Sequence, residues 1–228
     1  MVDASDIVFL TVPDDAIAAV CASLSWRRQS AVHCSGAAEL TVLSAAKGQV
    51  GGFHPLVMFA DPEIAARSIA GAAIAVEADG PLAEKLRTMA KALGARLLVI
   101  PPGARAAYHA GAHFAAAFVC ASLAEGVGIY ERIGIPRDDA LAALLGLLRG
   151  ATDAVAHAGP AKAMAGSIAR GDIDTVRRHL EALDRLDPKA GELYRTLALR
   201  TVPMSLAAGG MTRERAEEIR QLLEKRYP

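Results

Sequence analysis

The chain has 228 residues, enough for one large domain or two small ones, and a chain of this size buries about 70% of its unfolded surface without a disulfide or a metal. Its 25 basic and 25 acidic residues cancel and aromatic residues make up only 4%, which excludes a charged surface for nucleic acid or anionic membranes and argues against base stacking. Hydrophobic residues make up 53%, but no apolar run reaches the ~18 residues of a membrane span, so we expect no membrane partner.

The first predicted element is a strand over Ile7–Val12. Five apolar residues in these six predict burial on both faces, the pattern of an inner strand of a parallel sheet. Pro13 ends the strand, and Asp14 can cap the helix that follows. An inner strand needs a neighbour on each side and few strands follow, so we interpret the chain as an α/β domain that lacks its first segment.

Strands and helices alternate over the first hundred residues, which predicts parallel strands joined by right-handed crossovers. The predicted strands are Ile7–Val12, Ala31–Cys34, Val50–Phe53, Ala72–Val76 and Arg96–Ile100. The predicted helices between them are Asp14–Leu24, Ala38–Lys47, Glu63–Ile69 and Pro81–Leu93.

Pro101, Pro102 and Gly103 form the strongest break in the chain and predict a domain boundary. Residues 1–102 are expected to form the α/β domain, and residues 103–228 an all-helical one. The predicted helices of the second domain are Ala104–Ile133, Arg137–Leu148, Thr152–Ala158, Pro160–Ala169, Asp172–Leu183, Lys189–Ala207 and Thr212–Lys225.

Ligands of open α/β sheets bind beyond the carboxyl ends of the strands. The first three predicted strands end in hydroxyls, glycines and histidines. Gly36, after the second strand, lets a flat ligand approach the backbone, while Ser35 beside it also fits a simple helix cap. His54, after the third strand, is the residue type best matched to proton transfer near neutral pH, or it is a buried histidine bound to backbone groups.

His109 and His113 lie four residues apart on the long predicted helix and therefore project from one face. The helix begins just after the last strand, so we expect its first turns to return over the sheet and to place both rings opposite His54. The same spacing suits two zinc ligands, but residue 110 is alanine instead of the glutamate of a His-Glu-x-x-His motif. A metal-binding module is therefore the weakest interpretation of these histidines, and no metal is predicted.

Two other sequence features bear on location and cofactor. Cys21, Cys34 and Cys120 are scattered and odd in number, and the N-terminus has no signal-peptide pattern, which together predict reduced thiols and a cytoplasmic protein. Neither G-x-G-x-x-G nor G-x-x-x-x-G-K-[ST] occurs, and Gly51 and Gly52 lie within a predicted strand instead of after one.

Several short segments, spread over nearly the whole chain, together carry a family resemblance. They are Leu10–Asp15, Val32–Gly36, Gly52–Leu56 with Phe59–Pro62, Tyr108–His109, and Gly166–Asp172 with His179–Leu180. In these segments the chain resembles the bacterial Rossmann-like NAD(P)-dependent oxidoreductases with a C-terminal all-helical domain of unknown function. These are relatives of pyrroline-5-carboxylate reductase, prephenate dehydrogenase and ketopantoate reductase.

The resemblance implies a partial Rossmann-like parallel sheet followed by an all-α domain like the C-terminal domain of 6-phosphogluconate dehydrogenase. It implies NAD(P) over the sheet, a small-molecule substrate in a cleft between the domains, and a homodimer built on the helical half. The residues implied to bind the cofactor are Val12, Pro13, Asp14, Ser35 and Gly36. The residues implied to act on substrate are His54 and His109 as catalytic groups, with His113 and Phe53 as substrate contacts.

The chain departs from the family in two places. Family members begin with a strand, the glycine-rich loop, a helix and two further strands, none of which this sequence contains. Ala116 and Ala117 also stand where the family commonly carries a Ser-Asn pair. We therefore expect this chain to bind NAD(P) weakly or not at all. The competing interpretation is a non-enzymatic ligand-binding or dimeric interaction protein.

Overall fold

The computed structural model describes residues 4–225, and the chain divides between Val119 and Cys120 into two compact units. The predicted boundary at Pro101–Gly103 lies earlier in the chain. The difference arises because the helix that follows the last strand is attached to the sheet by a buried arginine, Arg105, and so belongs to the first unit.

The first unit contains a five-stranded sheet with the strands in chain order. The strands are β1 (Ile7–Leu10), β2 (Ser30–His33), β3 (Val50–Pro55), β4 (Ala73–Ala78) and β5 (Arg96–Val99). The first three are parallel to one another, β4 is antiparallel to β3, and β5 is parallel to β4. The predicted strands are thus present, and the α/β fold class is confirmed.

The prediction that all strands run parallel is wrong at the junction of β3 and β4. The intervening helix α2 (Pro62–Ser68) has seven residues. The chain does not return to the edge where β3 began: the Leu56 N–H donates to the carbonyl of Ala73 at 2.8 Å, so β4 starts where β3 ends.

In this sheet β1 lies at the edge, because among the described residues it pairs only with β2. Its interpretation as an inner strand depends on a preceding segment and stays a prediction. Both of its faces are nevertheless covered, because Ile7 and Phe9 pack against one core cluster while Val8 and Leu10 contact the other.

Helices cover both faces of the sheet. On one face α1 (Ile17–Ser23) and a 3₁₀ turn over Leu40–Leu43 enclose an apolar cluster; on the other, α3 (Gly80–Ala92) does the same. Side chains alternate along a strand, so His54 emerges from the face opposite to that of Phe53. In the pairing of β2 with β3, His33 lies beside Gly52.

After β5 the described residues form helices and turns and contain no further strand, as predicted for the second part. The long predicted helix is divided into α4 (Arg105–Ala115) and α5 (Ala117–Arg132) by Ala116, whose φ of −125° and ψ of −93° are not helical. The next two predicted helices are one, α6 (Arg137–Ala158). The predicted helix over Pro160–Ala169 is wrong, because this segment forms turns between Gly159 and Gly171, both with positive φ.

The second unit ends in a three-helix cluster of α7 (Ile173–Leu186), α8 (Pro188–Ala207) and α9 (Arg213–Glu224). Its core consists of small and branched apolar side chains. These are Val176, Leu180, Ala198, Val202, Ala216, Ile219, Leu222 and Leu223.

The expectation that no segment is long and apolar enough to span a membrane does not hold for Arg105–Arg132. By length and composition alone these 28 residues could do so, and only 6% of their most apolar 18-residue part is buried. Membrane spans and interface helices share these properties.

Candidate functional site

The candidate site lies where the parallel strands β1, β2 and β3 end, because parallel strands present their carboxyl ends at one edge. His54 is the second-last residue of β3, and α4 carries His109 and His113 to the same place. A cavity of about 300 Å³ opens there. It is lined by His54, Leu56, Val57, Met58, His109, Ala112, His113, Ala115, Ala116 and Ala117. The three histidines therefore share one cavity, as the sequence predicts.

The imidazoles form a row. The centroids of the His54 and His109 rings lie 6.0 Å apart, and those of His109 and His113 lie 4.8 Å apart, both pairs edge to face. His54 Nδ1 is 2.9 Å from the hydroxyl of Tyr108. His113 Nδ1 lies 3.0 Å from the carbonyl oxygen of His109 and must donate to it, which leaves Nε2 without the proton when the ring is neutral.

The row includes a group that the sequence analysis missed. Tyr108 directly precedes His109 and holds His54, yet we read it only as part of the family resemblance. Burial raises the pKa of Tyr108 although the charge of Arg105 acts in the opposite direction, so its hydroxyl keeps its proton at neutral pH.

His54 is held neutral by its surroundings. Burial lowers its pKa to about 4, with further lowering by His109 and Arg105 and a smaller opposing effect of Asp14. A neutral imidazole with one nitrogen on a hydroxyl can accept or pass on a proton. The arrangement is therefore suited to acid–base chemistry on a ligand in the cavity.

Gly36 allows the histidine rings to approach the end of β2. A Cβ at this position would lie 2.6 Å from Cδ2 of His109 and 2.9 Å from Cε1 of His54. The absence of a side chain is thus required by the two rings themselves. Its proposed contact with a cofactor remains a prediction.

Arg105 attaches α4 to the sheet. Its side chain is fully buried, Nε donates to Oε2 of Glu77 on β4, and Nη1 donates to the carbonyl of Ser35 at 2.8 Å. Nη2 has no partner among the described residues. Arg105 begins α4 three and four residues before Tyr108 and His109, so this attachment fixes the turn that carries them.

Gly52 supplies the space for that guanidinium. A Cβ at Gly52 would lie 1.7 Å from Nη2 of Arg105. The sequence analysis considered Gly52 only as a phosphate-loop candidate and missed Arg105. The sequence does carry one sign of this role: Arg105 precedes His109 by four residues, so both side chains project from the same face of the predicted helix.

Beside Gly52 lies His33, which is fully buried and whose two ring nitrogens have no partner among the described residues. Burial lowers the pKa of His33 to about 4, and the charge of Arg105 acts in the same direction. His33 is therefore a neutral residue of the interior and does not line the cavity.

The polar groups at the ends of β1 and β2 bind one another. Ser35 Oγ donates to Oδ2 of Asp14 at 2.7 Å and accepts the N–H groups of Ala37 and Ala38 at 3.1 and 2.9 Å. The predicted cofactor contacts of Ser35 and Asp14 stay predictions. Asp14 and Asp15 place two carboxylates at the first turn after β1, where they repel an anion.

Two of the predicted binding residues lie in the core. Phe53 is 5% exposed and packs edge to face on Phe9, with the ring centroids 5.8 Å apart. Because it emerges from the face opposite to His54, its assignment as a substrate contact is wrong. Val12 packs against the apolar cluster beneath α1, while Pro13 precedes the 3₁₀ turn.

The metal interpretation finds no support in the part of the chain that the structure describes. No group of three or more His, Cys, Asp or Glu side chains there is placed to hold a metal ion.

The family model described as "Domain of unknown function (DUF2520)" matches residues 72–201, more than half of the chain. The chain belongs to this family. No curated protein matches it by sequence.

Solved structures show a similar fold. Protein TM1727 from Thermotoga maritima is 22% identical with a TM-score of 0.79, covering 89% of this chain and 79% of that one. A putative NADP oxidoreductase, BF3122 from Bacteroides fragilis, is 21% identical with a TM-score of 0.71, covering 86% and 75%. A pyrroline-5-carboxylate reductase from Streptococcus pyogenes is 12% identical with a TM-score of 0.57, covering 96% and 78%. The chain therefore has a Rossmann-like oxidoreductase-type fold.

Gly52→Ala is expected to destabilise the protein by about 3 kcal/mol, because its methyl group displaces the Arg105 guanidinium and breaks a buried ion pair. Gly111→Ala on α4 is the control, since its Cβ would meet no atom within 4 Å, and it is expected to stabilise the helix by about 0.5–1 kcal/mol. Urea unfolding measures both. Unchanged stability of Gly52→Ala would contradict the proposed packing.

Stability is expected to fall as the pH drops from about 6.5, the ordinary value for histidine, toward the pKa of about 4 of His33 and His54. In this window the unfolded state binds more protons than the folded state, so acidification favours unfolding. His33→Phe removes one of the two groups and should flatten the pH dependence of the unfolding free energy. His157→Gln, at an exposed position, should leave it unchanged.

Proposed function

We propose that the chain is an NAD(P)-dependent oxidoreductase-type protein that binds a small organic substrate in the histidine-lined cavity. The observation that carries the proposal is the row of His54, His109 and His113 on one cavity, with the Tyr108 hydroxyl 2.9 Å from Nδ1 of His54. The fold adds support, since similar structures include an imine reductase from a Pseudomonas species and a reductive aminase from Aspergillus terreus solved with NADPH and ethyl levulinate.

In this proposal the chain's own contribution is a proton. Reduction of a carbonyl or imine adds a hydride to carbon, which NAD(P)H would supply, and a proton to the oxygen or nitrogen. Because its lowered pKa of about 4 keeps His54 neutral, His54 would relay this proton: the Tyr108 hydroxyl donates to Nδ1 while Nε2–H donates to the substrate, and Tyr108 regains its proton from solvent. Nδ1 of His54 is held by the Tyr108 hydroxyl, while Nε2 makes no hydrogen bond among the described residues. Nε2 is therefore the atom assigned to the substrate, with His109 as the next ring in the row.

The proposal includes weak binding of NAD(P) by this chain. The N–H groups of Ala37 and Ala38 are occupied by Ser35, and the carboxylates of Asp14 and Asp15 disfavour a diphosphate. The same observations favour a second candidate function, in which the cavity binds a small molecule without redox chemistry. Ala116 and Ala117, which line the cavity with methyl groups only, are consistent with either function.

Calorimetric titration with NADPH and NADH followed by turnover assays tests the proposal. We expect affinities weaker than low micromolar, and NADPH oxidation with small ketones or imines when the cofactor is saturating. His54→Ala should lower kcat/KM by about 100-fold or more, the contribution of a general acid. The exposed His157→Ala should leave it unchanged. Ligand binding without turnover at saturating cofactor would support the non-redox function instead.

We also propose a homodimer formed through the helical half. Large apolar side chains are exposed along α5 and α6, among them Phe118 at 48%, Leu147 at 70% and Val155 at 44%. Exposed apolar surface of this kind marks interfaces, and a two-fold dimer would cover the same face on both copies.

Light scattering at about micromolar concentration is expected to give the mass of a dimer. Leu147→Glu places a charge on the exposed face of α6 and should yield a monomer. Leu93→Glu, an exposed position of the first unit, should remain dimeric. A monomeric mass for the unmodified chain would contradict the proposal.

A further inference from the structure

The cavity wall has a simple chemical composition. Its polar groups are the imidazoles of His54, His109 and His113, and the remaining lining is aliphatic. Among the described residues that line it, none is a lysine, arginine, aspartate or glutamate. The aliphatic part consists of Leu56, Val57, Met58, Ala112, Ala115, Ala116 and Ala117.

The two permanently charged side chains that act on His54 are Arg105 and Asp14, and both are bound to other parts of the protein. Arg105 is fully buried, is absent from the cavity wall, and directs its guanidinium to Glu77 and the Ser35 carbonyl. The carboxylate of Asp14 accepts the hydroxyl of Ser35. A carboxylate brought into the cavity would therefore lose water without gaining a permanently charged partner, which is unfavourable.

The size of the cavity limits the ligand as well. About 300 Å³ lies at the lower end of the range for small-molecule sites. An imidazole N–H can donate to a single carbonyl, imine or hydroxyl group of the ligand, and an unprotonated ring nitrogen can accept from a hydroxyl. The aliphatic wall then contacts the rest of the ligand.

We infer that the cavity selects small neutral compounds with one carbonyl or imine group and an aliphatic body, and discriminates against carboxylates. The reaction assigned to these compounds rests on the proposed function, whereas their selection rests on the composition of the wall.

The matched pair ethyl levulinate and levulinate tests the inference by calorimetry on the full chain at about pH 8, where an imidazole of ordinary pKa is neutral. The two compounds share a ketone and differ in the charge of the other end. We expect the ester to bind at least about tenfold more tightly. Equal affinity, tighter binding of levulinate, or binding of neither compound would overturn the inference.

A pair of variants tests the cause of the preference. Ala112 lines the cavity and is half-buried, so Ala112→Lys introduces a cation into the wall, and Ala112→Met adds similar length without charge. We expect the lysine variant to reverse the preference and the methionine variant to keep it. Reversal in both variants, or in neither, would overturn the inference.

Turnover separates this inference from the proposed function. Preferential binding of the ester without NADPH oxidation at saturating cofactor would support the selection and refute the oxidoreductase activity. Oxidation of NADPH with levulinate in preference to the ester would refute the selection and support the activity.

Discussion

The arrangement of the site depends on one buried guanidinium. Arg105 joins the first turn of α4 to β4 through Glu77 and to the end of β2 through the Ser35 carbonyl. A buried charge is tolerated only when it is paired and hydrogen-bonded, so loss of Glu77 or of the Ser35 carbonyl contact would leave an uncompensated charge in the interior at a large cost in free energy. The cavity is thus bounded by elements that are held together beneath it by an interaction in which the ligand takes no part.

The chemistry of the histidine row follows from this attachment. Arg105 brings Tyr108 and His109 to His54, and its charge also contributes to the lowered pKa values of His33 and His54. Gly36 and Gly52 give the rings and the guanidinium the room they need. The position of His54 beside Tyr108 and His109 therefore depends on residues of β3, β4 and α4 and of the segment after β2 together.

Apolar runs and their breaks were enough to predict the five strands, the helical second part, and a common location for His54 and His109. The direction of β4 was not predictable in this way, because an apolar run does not record at which edge of the sheet the chain enters the strand. Arg105 escaped notice because a lone arginine at a helix start normally faces solvent, and its burial depends on a glycine fifty-three positions earlier, Gly52. The family resemblance implied Phe53 as a substrate contact together with His54, yet adjacent residues of a strand face opposite sides.

The alanine wall formed by α4 and the start of α5 has a consequence for how the site can change. Every substitution at Ala112 or Ala115 except glycine adds atoms, and a helix accepts most such replacements at little cost to its backbone. Pocket volume can therefore shrink in single steps without disturbing the histidines or their support. Ligand size and acid–base chemistry are encoded at separate positions, so related sequences can diverge in what they admit while retaining the same proton-handling groups.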